Sequence, residues 1–509
     1  MNWLIWIGVM AAIVVLASLM AIWSHGRFAR RVRGRPSYRL PRGGRPGWLD
    51  RAIDPLEAAH PGKSAAATLF DNRDAFAARL ESVRRAERSV DMVYYIWRDD
   101  LTGNLLAAAL IEAADRGVRV RLLLDDVNVL GFDPSYLDLD GHPRIEMRVF
   151  NPIRRRHNAL RRGIEMVLAL VRYNRRVHTK AWIVDGRIAI VGGRNIGDTY
   201  FEAARRRKRN SLDADLLVAG PVVAEAEAMF DSFWNSEMAL PVAALWHDHV
   251  AELNRYRRRL AALRRHRRGA AYLASLPEPG VLPGLDRLRW CESVRLISDP
   301  PEKAIGGGRD GWMPVEVSRM MATAEEEVQM ITPYFVPGKE GMAELTGIAA
   351  RGVEVRILTN SLSATNQILV HGAYRRYRAA LLQAGIRLHE YGPRATARDR
   401  GRMLHGKTIL VDRRLGFVGS YNYDLRSAFL NIETGILFAD PHLAAELAEF
   451  FAAAVDPGQS YVVSSEERWI RWDRPDDPAA PPIWYEPEAG PSRRAVSWMV
   501  GHLPIHSYL

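Results

Sequence analysis

The sequence predicts an α/β protein: two homologous α/β lobes behind a single N-terminal transmembrane helix. Three observations carry that expectation. A polar motif occurs twice at matched spacing, an alternation of strands and helices repeats around it, and the amino end holds a long uncharged apolar stretch.

The apolar stretch comes first. Residues 3–23, WLIWIGVMAAIVVLASLMAIW, carry no charged side chain, and ~20 such residues cross a bilayer as a helix. Trp3, Trp6 and Trp23 suit the membrane interfaces. Arginines 27, 30, 31, 33 and 35 follow at once, while only the α-amine is basic before them. The positive-inside rule therefore expects a single-pass anchor in the cytoplasmic (inner) membrane, with the lobes on the cytoplasmic side. A cleaved signal peptide is the competing reading. It wants a basic start, a shorter apolar core and small residues at the cut, where this chain has Ile22 and Trp23. One cysteine, Cys291, excludes an intramolecular disulfide and agrees with a reducing compartment.

Composition shifts divide the rest. Residues 1–25 read as the anchor and 26–65 as a basic, Pro/Gly-rich linker. The string LASLPEPGVLPGLD breaks helical periodicity and separates a first lobe, 66–275, from a second, 276–465. Residues 466–509 form a Trp/Pro-rich tail with Trp469, Trp472 and Trp484. Its last segment, SWMVGHLPIHSYL, is apolar but too short to span; interfacial contact and packing onto the lobes both stay open.

Within the lobes the repeat is extensive. SVDMVYYIW (89–97) parallels EVQMITPYF (327–335), and LIEAADRGVRVRLLL (110–124) parallels LTGIAARGVEVRILT (345–359). The latter pair each read as helix, glycine stop at Gly117 or Gly352, then a buried β-run, and the alternation predicts an α/β sandwich in each half.

The doubled motif is His-x-Lys-x4-Asp: His178, Lys180 and Asp185 in HTKAWIVD, and His405, Lys407 and Asp412 in HGKTILVD. Lysine is scarce here, six residues among 71 basic ones, so a compact ammonium kept at two matching places is informative. Asn195 lies 17 residues after His178, and Asn422 17 after His405. Each copy reads as strand, tight turn, strand, and residues i and i+2 of a strand share a face, so each His and Lys point together. Asp185 and Asp412 end their strands and suit a structural role in the hairpin.

These residues resemble the signature of the phospholipase D superfamily, an HxKxxxxD element followed by a GSxN-type turn. GSYN fits that turn, whereas GGRN has Gly193 where serine is usual. The segments VYYIWRDD, RGVRVRLLLDD, HPRIEMRVFNP, GGRNIGDTYF and TPYFVPG are similar to bacterial cardiolipin synthases, particularly the C type. The resemblance covers roughly residues 66–460. It implies two phospholipase D-like lobes packed about a pseudo-twofold, with both motifs in one active site. It further implies His178 as nucleophile, giving a phosphatidyl-histidine, and His405 as acid/base; the residues themselves are symmetric and leave that open. A carboxylate should orient each imidazole. Glu433 in NIETG matches the family's acidic position, and its first-copy counterpart is expected at Asp215, with Asp213 the alternative. Gly193, Ser420, Arg194, Tyr95, Tyr334 and His371 are expected at the substrate, His371 only as a helix residue that could meet a headgroup. Lys180, Lys407, Asn195 and Asn422 would grip phosphate oxygens.

The net charge of +12, clustered at 153–155, 205–209 and 255–268, favours an anionic membrane surface. Nucleic acid would satisfy the same charge, but no basic strand interleaved with aromatics points to base stacking, so no nucleic-acid partner is expected. No metal-ligand spacing, P-loop or dinucleotide fingerprint occurs, and no cofactor is expected. By resemblance the reaction passes a phosphatidyl group to phosphatidylglycerol, from a second phosphatidylglycerol or from phosphatidylethanolamine. Hydrolysis by the same chemistry is the alternative.

Overall fold

The computed structural model describes residues 2–129, 133–156, 158–205, 209–246, 250–307, 311–392, 402–467, 469–474 and 481–503. Most of the basic run 205–209 and the last six residues of the tail lie outside them.

Two nine-stranded sheets form the frame. The first runs Arg289–Cys291, Ser64–Leu69, Asp215–Ala219, Ile188–Gly192, Lys180–Val184, Ser89–Tyr94, Arg119–Asp125, Ile145–Phe150, Ala239–Pro241. The second runs Ser293–Ser298, Thr434–Ala439, Leu415–Gly419, Thr408–Val411, Glu327–Ile331, Glu354–Asn360, Arg387–Tyr391, Ser460–Glu466, Trp469–Asp473. From Ser64–Leu69 onward, each strand of the first sheet corresponds to a strand of the second in the same order. Both put two parallel pairings in the middle, Ser89–Tyr94 with Arg119–Asp125 with Ile145–Phe150, and Glu327–Ile331 with Glu354–Asn360 with Arg387–Tyr391. Parallel strands covered on both faces read as unbroken apolar runs, which is how VRLLL and VRIL appear in the sequence.

The hand-over between sheets falls at Glu292, because Arg289–Cys291 still pairs with Ser64–Ala66 of the first sheet. That is later than the expected border at 275/276: the Pro/Gly string is a loop, buried at Leu282, Pro283 and Gly284, that returns to the first sheet's edge. The linker is also more structured than expected, with a helix at Trp48–Ala59. The tail extends the second sheet through Trp469–Asp473 and lays the helix Pro491–His502 on Ile368–Tyr374.

The core between the lobes is shared. Helices Pro221–Trp234 and Pro441–Ala454 follow corresponding strands and bury Phe230, Phe233, Leu447 and Phe451 among Val191, Leu216, Val418 and Ile436. Burial of such side chains contributes ~1.5–3 kcal/mol each, so the two sheets are held face to face by apolar packing. At the amino end Asn2–Val32 is one helix, long and apolar enough to cross a membrane, and its apolar window is not buried against the protein.

Candidate active site

Each motif lies on a hairpin whose turn is built by its aspartate. Asp185 (φ +54°) accepts the backbone N–H groups of Glu87, Arg88 and Ser89 at 2.7–2.9 Å. Asp412 (φ +49°) accepts those of Glu325, Glu326 and Glu327, all at 2.9 Å. Each carboxylate ties the turn to the start of the neighbouring strand and points away from the imidazoles. The lysines fold back the same way in both halves, Lys180 Nζ donating to the His178 carbonyl and Lys407 Nζ to that of His405.

The halves meet by exchange. His178 N donates to the Ile432 carbonyl at 2.9 Å, and His405 N to that of Leu212 at 2.8 Å. Each histidine thereby sits beside the acidic residue of the opposite lobe. His178 Nδ1 lies 2.8 Å from Glu433 Oε2, and His405 Nδ1 2.6 Å from Asp213 Oδ2. A carboxylate at Nδ1 fixes the tautomer with the proton there and leaves Nε2 a free lone pair. Among the described residues neither Nε2 has a protein partner.

The carboxylate serving His405 is therefore Asp213, and the expectation for Asp215 is corrected. Asp215 binds Arg79 Nη2 at 2.8 Å and Arg194 Nη1 at 3.3 Å in a fully buried cluster. Arg194 is corrected with it. Its guanidinium is consumed by Asn72 Oδ1 and the carbonyls of Leu69, Phe70 and Asp213. His371 is corrected too: it is buried beneath the tail helix against Ser497 Oγ and Arg378 Nη2. Although His371, Glu390 and Glu486 lie close enough to suggest a metal site, the Arg378 guanidinium fills it, 2.7 Å from each carboxylate.

Gly193 and Ser420, expected at the substrate, instead shape the two carboxylates. Ser420 Oγ donates to Glu433 Oε2 at 2.5 Å and accepts from Thr434 N. At Gly193 a Cβ would lie 2.1 Å from Asp213 Oδ1, so only glycine leaves room for the shorter acid. The asparagines differ. Asn195 Oδ1 accepts Ile96 N and its amide donates to Tyr200 Oη, whereas the Asn422 amide reaches Ser427 Oγ at 3.4 Å and its buried Oδ1 has no partner.

Tyr95 stands edge-on to His178 with ring centroids 4.8 Å apart, and Tyr200 edge-on to His405 at 5.1 Å. Tyr334 is hydrogen-bonded to Asn366 and within electrostatic range of both tyrosines. Tyr200 was not anticipated from sequence; its signal is the shared offset of five from the asparagine, Asn195 to Tyr200 and Asn422 to Ser427.

Electrostatics tie the halves together. Burial, opposed by Glu433 and assisted by both ammoniums, lowers His178 to about 4. Burial, Lys407 and Lys180 lower His405 to about 4 against the pull of Asp213. Burial also lowers Lys180 well below its usual range and Lys407 to about 8. Although burial opposes it, the positive neighbours hold Glu433 down to about 2, and Asp213 is held low likewise. The site thus holds two neutral imidazoles, two carboxylates and the Lys407 ammonium, while burial works against the charge on Lys180 until an anion is beside it.

A cavity of about 1030 Å³ is lined by Trp312, Val336, Met342, Leu425 and the two tyrosines that flank Asn422 in sequence, Tyr421 and Tyr423, with Lys339 and Arg376 at its wall. Asp424, another lining residue, acts electrostatically on Lys407.

Comparison with known proteins shows the family. The family described as "Cardiolipin synthase, PLD-like domain" matches residues 80–234 and 317–455. The chain is 37% identical to cardiolipin synthase C of Escherichia coli K12, over 84% of this chain and 91% of that one. It is 28% identical to cardiolipin synthase 2 of Bacillus anthracis, over 75% and 63% respectively. The crystal structure of phosphatidylserine synthase from Haemophilus influenzae Rd KW20 shares the fold, with a TM-score of 0.56 at 14% identity over 81% of this chain and 91% of that one. With two complete motifs, matched sheets and carboxylates exchanged between lobes, the chain belongs to the cardiolipin synthase, PLD-like domain family.

Proposed function

We propose that this protein is a membrane-anchored phosphatidyltransferase that makes cardiolipin by passing a phosphatidyl group to phosphatidylglycerol through a phosphatidyl-histidine. The observation that carries the chemistry is the crossed pairing of His178 with Glu433 and His405 with Asp213. It leaves one Nε2 from each lobe as a free nucleophile or proton carrier. His178 Nε2 attacks phosphorus; the alkoxide of the donor leaves with a proton from His405. The acceptor hydroxyl then gives its proton to His405 and attacks the phospho-histidine, which restores both imidazoles. Lys180 and Lys407 hold the non-bridging oxygens as charge builds on them.

At neutral pH His405 is neutral without substrate, so the proton it donates is taken up from solvent as the substrate binds. An anionic phosphodiester among the ammoniums raises both histidines and both lysines, and binding takes up protons. Lys407 must be charged to hold the anion, so affinity falls as pH rises through about 8.

Lipid is favoured over nucleic acid by the largely apolar cavity at Tyr421 and Tyr423, which suits acyl chains or glycerol backbone better than a polyanion. The unpartnered Asn422 Oδ1 is suited to accept a hydrogen bond from a substrate hydroxyl. The anchor is assigned to Asn2–Val32. Purified protein in mixed micelles with labelled phosphatidylglycerol, with and without phosphatidylethanolamine, tests the reading. Cardiolipin is the expected product, and a rise with phosphatidylethanolamine would make that lipid the donor. Phosphatidic acid alone would make the protein a phospholipase.

A further inference from the structure

The helix Ala159–Leu168 and the turn Leu170–Tyr173 run directly into the His178 strand, and their amphipathicity is inverted. Leu160, Ile164 and Val167 share one helical face, at spacings of four and three, and are 74%, 51% and 69% exposed. Leu170 and Val171 continue the patch at 60% and 72%. On the opposite side the one buried residue of the helix is a charged one: Glu165 accepts the backbone N–H groups of Arg154 and Arg155. A helix of a soluble surface does the reverse. Its position explains the inversion. The helix packs against Asn2–Val32, and the loops around it are bonded to that helix where its apolar stretch ends. Arg154 Nη1 donates to Ser24 Oγ at 3.0 Å, and Arg172 Nη1 lies 3.2 Å from His25 Nε2. Arg155 and Arg161 are exposed beside the patch.

We propose that residues 159–173 lie in the membrane interface, with Leu160, Ile164, Val167, Leu170 and Val171 in the acyl region and the flanking arginines among anionic headgroups. This rests on the reading of Asn2–Val32 as a membrane span, because continuity with that helix, together with the basic rim, selects a lipid surface as the occupant. The segment leads through Arg176 and Val177 to His178, so the mouth of the site opens at the bilayer surface and phospholipid enters sideways, without leaving the membrane.

The test uses the full chain in phosphatidylglycerol-containing vesicles, with Cys291 replaced by serine and one environment-sensitive fluorophore at Ile164→Cys, Val167→Cys, Val14→Cys or Arg319→Cys. Spin-labelled lipids are expected to quench the probes at 164 and 167 from a shallow position and that at 14 from a deep one, leaving 319 untouched. Quenching at 14 with none at 164 and 167 overturns the interfacial helix while sparing the anchor; a second copy of the chain covering the patch would give that result. Quenching at 164 and 167 without 14 keeps the helix and removes the anchor, and no quenching at any of these removes both. Independently, L160S/I164S/V167S is expected to raise the apparent KM on vesicles roughly tenfold with kcat on a dispersed short-chain phosphatidylglycerol unchanged. Equal loss on both substrates contradicts the proposal.

Discussion

The two lobes solve one problem with different parts. In the second, a long acid, Glu433, reaches the opposite histidine while Ser420 and Asn431 brace its oxygens. In the first, a short acid, Asp213, does so because Gly193 leaves the space into which a serine Cβ would project. Residue pairs, Glu with Ser and Asp with Gly, are thus the units that correspond across the pseudo-twofold. The divergence extends to the asparagines: Asn195 is spent on the protein, whereas Asn422 keeps an unsatisfied oxygen. A duplicated site has kept its histidines and lysines alike and let their surroundings specialise.

The sharpest way to break this comparison is to exchange Asp213 for its near neighbour Asp215. Asp215→Asn leaves the buried Arg79 and Arg194 charges poorly paired and is expected to cost about 3–5 kcal/mol of stability, seen in thermal unfolding. The pH–rate profile of the folded fraction should keep its shape. Asp213→Asn, by contrast, should lower kcat by about 10²-fold or more and alter that profile, because the imidazole loses its orienting charge. The reverse outcome would return Asp215 to the site.

The buried histidines give the next effect. Both have folded values near 4, below the free imidazole's 6.5. Above pH 6.5 neither form binds the proton and this contribution to stability is complete. As pH falls from 6.5 to about 4 the unfolded chain takes protons that the folded site refuses, so stability is lost across that window, on the order of a few kcal/mol in total. Denaturant unfolding of wild type against the histidine-to-alanine double variant measures the difference; equal pH slopes would contradict the burial account.

Smaller still are the two buttresses. Gly193→Ser is expected to cost about 1–3 kcal/mol by crowding Asp213. Ser420→Ala should cost about 1 kcal/mol through lost hydrogen bonds to Glu433 and Thr434 N. A harmless Gly193→Ser would mean that the halves are interchangeable after all.

What was legible in the sequence is what is local. The hairpins, the shared face of each His and Lys, and the structural use of Asp185 and Asp412 follow from strand periodicity and turn chemistry, and the strand–helix alternation fixes the lobes. The carboxylate exchange joins residues 255 and 192 positions apart, which spacing does not encode. Asp213 and Asp215 share strand parity, so alternation could not choose between them. The insertion before them, leaving 18 residues from Asn195 to Asp213 against 11 from Asn422 to Glu433, removed the remaining guide. Arg194 misled by adjacency to Asn195: neighbours along a strand-like turn face opposite ways. His371 misled because the tail that buries it comes from Ser497.

The central claim is that one histidine from each lobe acts on one phosphorus atom, with different roles. Phosphorus-labelled phosphatidylglycerol mixed with wild type, His178→Ala and His405→Ala, quenched in alkali and read by peptide mapping of the label, tests it most directly. The account predicts label on the peptide containing residue 178, absent from His178→Ala and accumulating in His405→Ala when the lipid carries an activated leaving group. Label on residue 405, or label on 178 that turns over at the wild-type rate without His405, would contradict it.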